Sequence, residues 1–220
     1  MKKKLQVLSI SLALASATSI LHAEGNINAG KQKAASCTSC HGDDGNSMVA
    51  TFPKLAQQHS SYLAQQLLAF KDGRRSDPMM TPMALTLSDE DIADISSYYA
   101  AQKISENALP TIEPDDEDEK PAGNKDIQEL IAQGSNLYRN GNLASEVSAC
   151  IACHGPFGEG NKPASFPALK SQHADYLIKT LTDFKSGSRS NNPENIMHMI
   201  AKKMTDEEIK AVSYRVSMMK

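Results

Sequence analysis

Two five-residue motifs pair cysteine thiols with a histidine imidazole at the same spacing. They read Cys37-Thr-Ser-Cys40-His41 and Cys150-Ile-Ala-Cys153-His154, and they contain every cysteine of the chain. Thiols at this spacing can add to the two vinyl groups of one porphyrin, and the adjacent imidazole is then held under the iron. The sequence therefore predicts two covalently attached haem c groups, bound through the four cysteines, with His41 and His154 as proximal iron ligands.

Two other kinds of site also use cysteine pairs. A thioredoxin-type redox pair stands beside a βαβ pattern, and neither motif has one. A zinc site could be built from both cysteine pairs together. It would not explain why each motif is followed by its own complete set of repeated segments. The pattern favours haem attachment.

The sixth ligand decides what the iron does, because a methionine sulfur raises the reduction potential and closes the open coordination position. A cluster of methionines follows each motif by about 40 residues, in a segment that we expect to be a loop. Methionines also serve as core filler, and three histidines are rival ligands. The candidates are Met79, Met80 and Met83 in the first half, Met197, Met199 and Met204 in the second, and the rivals His59, His173 and His198.

Prolines and arginines downstream of the motifs could support a haem. Pro53 and Pro167 follow the motif histidines by 12 and 13 residues, and their carbonyls could accept the imidazole N–H and fix the ring. Arg75 and Arg189 could pair with haem propionates through parallel hydrogen bonds. The alternatives are that the prolines only start ordered loops and that the arginines are exposed helix ends.

The chain is a tandem duplication. The cysteine motifs are 113 residues apart, whereas segments 52–59 and 62–76 recur after 114 residues and segment 88–92 recurs after 117. The implied insertions fall between matched segments, where loops are expected. We predict domains at residues 24–105 and 127–220, joined by an acidic, proline-containing linker at 106–126.

Each half is predicted to be helical, because apolar residues recur with helical spacing and no period-two alternation is present. Ser60 or Ser61 is the predicted N-cap of one helix, and Gly187 is the predicted end of another. A capping-box pattern precedes the last helix of each half, and the pattern in the first half is the weaker one. The predicted helices cover about 28–36, 60–72, 127–138 and 174–186, with last helices that begin at a weaker Ser88-x-x-Asp91 box and at Thr205-x-x-Glu208.

The N-terminus has the pattern of an export signal. Three lysines precede a mostly apolar stretch from Leu5 to Leu14, and Ala23 offers a small residue for cleavage. We therefore predict a signal peptide at 1–23 and a mature protein in the periplasm. The alternative is an uncleaved membrane anchor, which is disfavoured because serines and threonines dilute the apolar run.

The charge is unevenly distributed. Loss of the signal lysines takes the formal charge from −3 to −6, and residues 24–109 carry 7 basic and 10 acidic groups. Residues 110–126 carry 2 and 7, and residues 127–220 carry 11 and 9. No basic stripe is present of the kind that binds nucleic acid. The acidic run of the linker is expected to be solvated and mobile.

These motifs together resemble the cytochrome c4 family over nearly the whole mature chain. The departures are Ala56-Gln57-Gln58 where the family has Ala-Gly-Gln, a shifted C-terminal aromatic at Tyr214, and the acidic linker. The matching segments are Cys-His-Gly-x-x-Gly-Asn at 40–46, Phe-Pro-Lys-Leu-Ala at 52–56, Tyr-Leu-x-x-Gln-Leu at 62–67, Lys-Asp-Gly-x-Arg at 71–75, Leu-Ser-Asp-x-Asp-Ile-Ala-Asp-Ile at 87–95, and in the second half Ser171-Gln172-His173, 181–184 and Ile196-Met197.

The resemblance implies an all-α fold of two class I cytochrome c domains related by a pseudo-twofold axis, with facing propionate edges. It implies Met80 and Met197 as the axial ligands. It further implies an electron carrier rather than an enzyme, which takes electrons from a quinol-oxidising complex and passes them to a haem–copper terminal oxidase. A loose association with the inner membrane is compatible with that role.

Two alternatives belong to other classes of protein. A dihaem peroxidase would need an open iron site, usually in a longer chain with an acid–base group near one iron. A redox sensor or a subunit of a larger complex would differ only in its partner. The sequence favours the electron carrier.

Overall fold

The computed structural model describes residues 25–110 and 124–220. Within these ranges the regular structure is helical, and the only β pairings are the isolated bridges Asn142–Val147 and Asn161–Phe166. This confirms the all-α prediction. The predicted signal peptide and the acidic run of the linker lie outside the described residues.

The two halves contain the same succession of helices. In each half, a first helix leads to a one-turn helix that carries the cysteine motif, and three further helices follow. The first half has α1 (Ile27–Lys33), α2 (Thr38–His41), α3 (Ser60–Lys71), α4 (Met80–Leu85) and α5 (Asp89–Ala100). The second half has α6 (Asn124–Asn140), α7 (Ile151–His154), α8 (Ala174–Ser186), α9 (Ile196–Ala201) and α10 (Asp206–Ser217). A 3-10 turn follows α1 at Ala34–Ser36, and another precedes α9 at Pro193–Asn195.

The helix ends agree with the sequence signals at most positions. Ser88 and Thr205 form complete capping boxes, so the box at Ser88 is not weaker than its counterpart. Helix α8 ends at Gly187, which has the left-handed φ of 81°. Helix α3 differs from the prediction, because its N-cap is His59 and no side chain caps it. Ser60 and Ser61 instead lie inside the first turn.

Each half has its own hydrophobic core where its first and last helices cross. Helix α1 packs on α5, and α6 packs on α10. The crossings are close, because a Cβ on Gly30 would collide with the carbonyl oxygen of Asp94, and one on Gly134 with that of Ala211. Cys37 packs against the first core and Cys150 against the second. The two cysteine pairs therefore belong to separate sites, which argues against a shared zinc ion.

Reciprocal hydrogen bonds join the two domains. Gln58 Nε2 donates to the Ala168 carbonyl over 2.8 Å, and Gln172 Nε2 donates to the Lys54 carbonyl over 2.9 Å. Each member of one pair lies 114 residues from its counterpart in the other. An exchange of equivalent contacts is the signature of a twofold interface, here a pseudo-twofold axis between two halves of one chain.

The start of the linker is fixed against both domains. Asn107 Nδ2 lies within 3.0–3.1 Å of the carbonyls of Ser171, Gln172 and Ser217. Lys54 Nζ donates to Asn107 Oδ1 over 2.7 Å.

None of the helices in 25–110 and 124–220 combines the length and apolar character needed to cross a membrane.

Candidate haem sites

One helical turn gathers the donors of the first motif. Cys37 is the N-cap of α2, and the His41 N–H donates to its carbonyl over 2.9 Å. Residues i, i+3 and i+4 of a helix share one face, so both thiols and the imidazole lie together. Gly42 ends the turn with φ 79° and ψ 157°, a conformation open essentially only to glycine. The backbone can therefore change direction immediately after His41.

The second motif repeats this arrangement. Cys150 is the N-cap of α7, and the His154 N–H donates to its carbonyl over 2.9 Å. All four cysteines lie in the described part of the chain, half-buried, and none of them forms a disulfide. Burial raises the pKa of Cys37, and it raises the pKa of Cys150 to about 11. Before haem attachment, both groups are therefore protonated thiols at neutral pH.

The proximal imidazoles are held as the sequence predicts. His41 Nδ1 donates to the Pro53 carbonyl over 2.9 Å, and His154 Nδ1 donates to the Pro167 carbonyl over 3.0 Å. Both rings are buried, and burial lowers the pKa of each histidine. A neutral ring whose Nδ1 carries the proton presents Nε2 as the free lone pair. That is the atom a metal needs.

The first methionine cluster is ordered by an aspartate. Asp77 Oδ1 accepts from the backbone N–H groups of Met79 and Met80, over 2.9 and 3.0 Å. Met80 begins α4 and is half-buried, whereas Met79 is 52% exposed and Met83, inside α4, is 39% exposed. The expectation of a loop is therefore wrong here, because the segment forms a short helix. Burial favours Met80 among the three.

The second methionine cluster is ordered by an asparagine. Asn192 Oδ1 accepts from the Met197 N–H over 2.9 Å. Met197 lies in α9 and is half-buried, whereas Met199 is 49% exposed. Met204 is buried in the hydrophobic core of its domain, as core filler. Burial favours Met197, and again a short helix replaces the expected loop.

Two rival histidines contact backbone carbonyls elsewhere. His173 Nε2 donates to the Ser47 carbonyl of the first domain over 2.9 Å. His198 Nδ1 donates to the Phe184 carbonyl at the end of α8 over 2.7 Å. His59, the third, is the N-cap of α3. His173 therefore makes a hydrogen bond across the domain interface, and His198 binds a carbonyl at the C-terminal end of α8.

The two arginines lie at the domain interface. Arg189 is only 6% exposed and donates through Nη2 to Tyr62 Oη and Gln66 Oε1, over 3.0 and 2.9 Å. Arg75 Nη2 reaches Tyr176 Oη over 3.3 Å, in the reciprocal contact. The reading of Arg189 as an exposed helix end is therefore wrong. Pairing of either arginine with a propionate stays a prediction.

Sequence reasoning missed the interface glutamines. Gln58 and Gln172 stand directly before the candidate ligands His59 and His173. The repeated Gln-His pair was visible at an offset of 114 residues. Imidazole binds iron, so the repeated pair indicates a ligand, whereas in the structure the glutamine makes the contact between the domains. Gln66 had no such signal, because its counterpart at the same offset is Thr180.

The donor set of each site fits haem c. A site needs two thiols and an imidazole Nε2 on one face, and both one-turn helices provide them. Among the described residues, no hydrogen bond involves Nε2 of His41 or His154. A thioether sulfur, from Met80 or Met197, would complete the ligand set. The bound group supplies a one-electron iron couple, while the chain supplies attachment and ligation.

Known proteins support this assignment. The family model described as cytochrome c matches residues 27–102 and 131–214. Cytochrome c4 of Pseudomonas aeruginosa is 42% identical and covers 97% of this chain and 96% of its own length. A thiosulfate dehydrogenase electron acceptor of Thiomonas intermedia is 36% identical over 82% of this chain and 77% of its own.

Solved structures agree on the fold. Reduced recombinant cytochrome c4 from Pseudomonas stutzeri superposes with a TM-score of 0.79 and 37% identity, over 89% of this chain and all of that chain. The chain binds two haem c groups covalently, one through Cys37 and Cys40 and one through Cys150 and Cys153. Two such domains in tandem, over this share of both chains, place the protein in the cytochrome c4 family of dihaem electron carriers.

Proposed function

We propose that the protein carries electrons in the periplasm, from a quinol-oxidising complex to a haem–copper terminal oxidase, and that it catalyses no reaction of its own. The observation that carries the proposal is the duplication of one donor set, which can fill both axial positions of an iron. Each domain fixes a proximal imidazole through Nδ1 and offers a half-buried methionine. Iron with both axial positions filled exchanges electrons and does not bind substrate.

The ligand assignment is part of this proposal. Met80 and Met197 are the distal ligands, supported by their burial relative to neighbouring methionines and by the side chains that order their backbone. A thioether ligand raises the reduction potential. A high potential suits a carrier that accepts from quinol oxidation and donates to an oxidase.

The location follows from the export signal. Residues 1–23 direct the chain to the periplasm, where the thiols meet haem, and cleavage releases the mature protein. An excess of acidic over basic groups in residues 24–126 keeps that half from binding anionic lipid strongly. Any contact with the inner membrane is then loose and is made through the membrane-bound partners.

A second donor deserves the same test, because a relative at 36% identity carries the name of thiosulfate dehydrogenase electron acceptor. In this alternative the chain accepts electrons from a thiosulfate-oxidising enzyme rather than from a quinol-oxidising complex. Both donors use the same two haems. They differ in the surface that docks and in the substrate that drives reduction.

The first experiment is spectroscopy of the holoprotein matured in a periplasm. A pyridine haemochrome assay should give two c-type haems per chain. The oxidised protein should show the weak near-infrared band of methionine–iron coordination. A single haem, a high-spin spectrum or turnover of peroxide would contradict a closed electron carrier.

The second experiment identifies the donor. The oxidised holoprotein is mixed with quinol and membranes that contain the quinol-oxidising complex, and separately with thiosulfate and a thiosulfate dehydrogenase. Fast reduction in the first mixture, with reoxidation by oxidase-containing membranes, supports the proposal. Reduction only in the second assigns the thiosulfate branch and overturns the proposed donor.

A further inference from the structure

A single peptide unit connects the proximal histidine of the first domain to a side chain of the second. The carbonyl of the Pro53–Lys54 peptide accepts from His41 Nδ1 over 2.9 Å. The N–H of the same peptide donates to Gln172 Oε1 over 2.8 Å. The hydrogen bonds therefore run from an iron ligand, through one amide, into the other domain.

The second domain contains the reciprocal connection. The carbonyl of the Pro167–Ala168 peptide accepts from His154 Nδ1 over 3.0 Å. Its N–H donates to Gln58 Oε1, which belongs to the first domain, over 2.9 Å. Each proximal histidine thus rests on a peptide that the opposite domain holds.

Both glutamine amides are fixed in one orientation. Gln172 donates back to the Lys54 carbonyl and accepts the His173 N–H, over 2.9 and 3.0 Å. Gln58 donates to the Ala168 carbonyl and accepts the His59 N–H, over 2.8 and 3.0 Å. The two side chains are 6% and 8% exposed, so water competes little for these bonds.

A peptide that donates through its N–H becomes a better acceptor at its carbonyl. Such cooperativity strengthens a neighbouring hydrogen bond by roughly 10–30% in condensed phases. A stronger bond from Nδ1 makes the imidazole a more basic ligand. A more basic ligand stabilises ferric over ferrous iron and lowers the reduction potential.

We propose that the glutamines are positioning residues that tune the irons crosswise: Gln172 sets the hydrogen bond of His41 and so the potential of the first haem, and Gln58 does the same for His154 and the second haem. Each domain then adjusts the iron that it does not carry. The inference depends on the two haem sites and not on the proposed donor and acceptor, so either can fail alone.

The test replaces Gln172 with methionine, a side chain of similar size without an amide. In the reduced holoprotein, the NMR resonance of His41 Nδ1–H should move upfield, because its hydrogen bond weakens. The potential of the first haem should rise. The His154 resonance and the second haem should move little. Gln58→Met should give the mirror image.

Two controls separate tuning from loosening of the interface. Gln172→Glu keeps an oxygen acceptor for the Lys54 N–H in either protonation state, so the His41 resonance should return towards its original position or beyond it. Gln66→Met removes an equally buried interface glutamine, whose Oε1 accepts from Arg189 and Asn191 but which touches neither proline peptide. It should not reproduce the crossed pattern.

Several outcomes would overturn the proposal. An unmoved His41 resonance in Gln172→Met, equal shifts at both haems, or larger shifts in the domain that carries the substitution would each do so. Small-angle scattering would reveal whether Gln172→Met separates the domains. If it does, the comparison with Gln172→Glu decides whether the lost acceptor or the loosened interface moves the His41 resonance. Equal His41 resonances in those two variants would then refute the role of the acceptor.

Discussion

The two domains agree closely on the proximal side of the haem and differ on the distal side. The bond from the histidine to the proline carbonyl is 2.9 Å in one domain and 3.0 Å in the other. The distance along the chain to the proposed distal methionine differs, because Met80 follows Ser76 by 4 residues whereas Met197 follows its counterpart Ser190 by 7. Duplication has kept the attachment turn and let the distal segment diverge.

The longer distal segment has a different local structure. In the first domain an aspartate orders the backbone just before Met80. In the second, a 3-10 turn at Pro193–Asn195 places Glu194 and Asn195 at left-handed φ angles of 51° and 52°. Such conformations cost of order 1 kcal/mol or more for non-glycine residues. The second distal ligand is therefore proposed to sit on the more strained of the two segments.

The first prediction tests the distal ligands, where the largest effect is expected. Met80→Ala and Met197→Ala should each remove one thioether, lower the potential of one haem, and remove about half of the near-infrared band, since one of two ligands is lost. Voltammetry and near-infrared absorption of the oxidised holoprotein would measure both effects.

Neighbouring methionines provide the controls. Met79→Ala and Met199→Ala change side chains that are about half exposed, so the full near-infrared band and both reduction potentials should persist. Unchanged potentials in Met80→Ala and Met197→Ala together would show that the ligand assignment is wrong. If only Met197→Ala lowered a potential and weakened the near-infrared band, only the assignment of Met80 in the first domain would be wrong.

The second prediction concerns the helix crossings, which the domains share. Alanine at Gly30 or Gly134 drives a Cβ into a backbone carbonyl of the facing helix, which cannot move aside like a side chain. Over-packing of this kind costs about 3 kcal/mol. We expect each substitution to lower the free energy of unfolding of its own domain by that amount, measured by denaturant titration of domain-specific amide resonances.

Gly73 is the matched control for those crossings. It has a φ of +80°, and a Cβ there would meet no atom within 4 Å. Gly73→Ala should therefore cost only the strain of a left-handed backbone, about 1 kcal/mol. A loss at Gly30 or Gly134 no larger than at Gly73 would mean that the helices separate at little cost.

Much of the fold and of the proximal site could be predicted from the sequence. The cysteine motif, the proline carbonyl and the capping boxes are local signals, because their partners lie within a few residues or at a repeated offset. The interface depends on side chains more than 100 residues apart, such as Gln172 and Lys54. No periodicity encodes such a contact. Arg189 was ambiguous for the same reason, since only the docked domain buries it.

The third prediction uses a difference in charge between the two crossings, and its effect is the smallest. Lys33 Nζ lies 2.8 Å from Asp94 Oδ2 and 3.0 Å from Asp91 Oδ1. Hydrogen bonds from Ser88 and from Lys33 lower the pKa of Asp91 to about 2, and Lys33 also lowers the pKa of Asp94. In the second domain, counting from Gly134, the lysine position is the buried Leu137, and Ala211 takes the place of Asp94.

These shifts predict that the first domain is the more acid-sensitive. A carboxyl group whose folded pKa lies below its ordinary value near 3.8 stabilises the fold above that pH and loses the contribution as the pH falls towards 2. Domain-specific amide resonances in acid titrations of the holoprotein should therefore show the first domain losing more stability between about pH 4 and 2. The difference should be modest, because Lys33 and Asp91 are partly exposed and salt screens them.

Lys33→Met decides whether the lysine causes that difference. The substitution keeps an unbranched apolar stem in α1 and removes the ammonium, so the acid dependence of the first domain should shrink towards that of the second. The remainder belongs to Ser88, which donates to Asp91, and to the Asn26 N–H, which donates to Asp94, because both sets of hydrogen bonds survive the change. An acid dependence unaltered by Lys33→Met would assign the whole effect to the hydrogen bonds from Ser88 and Asn26.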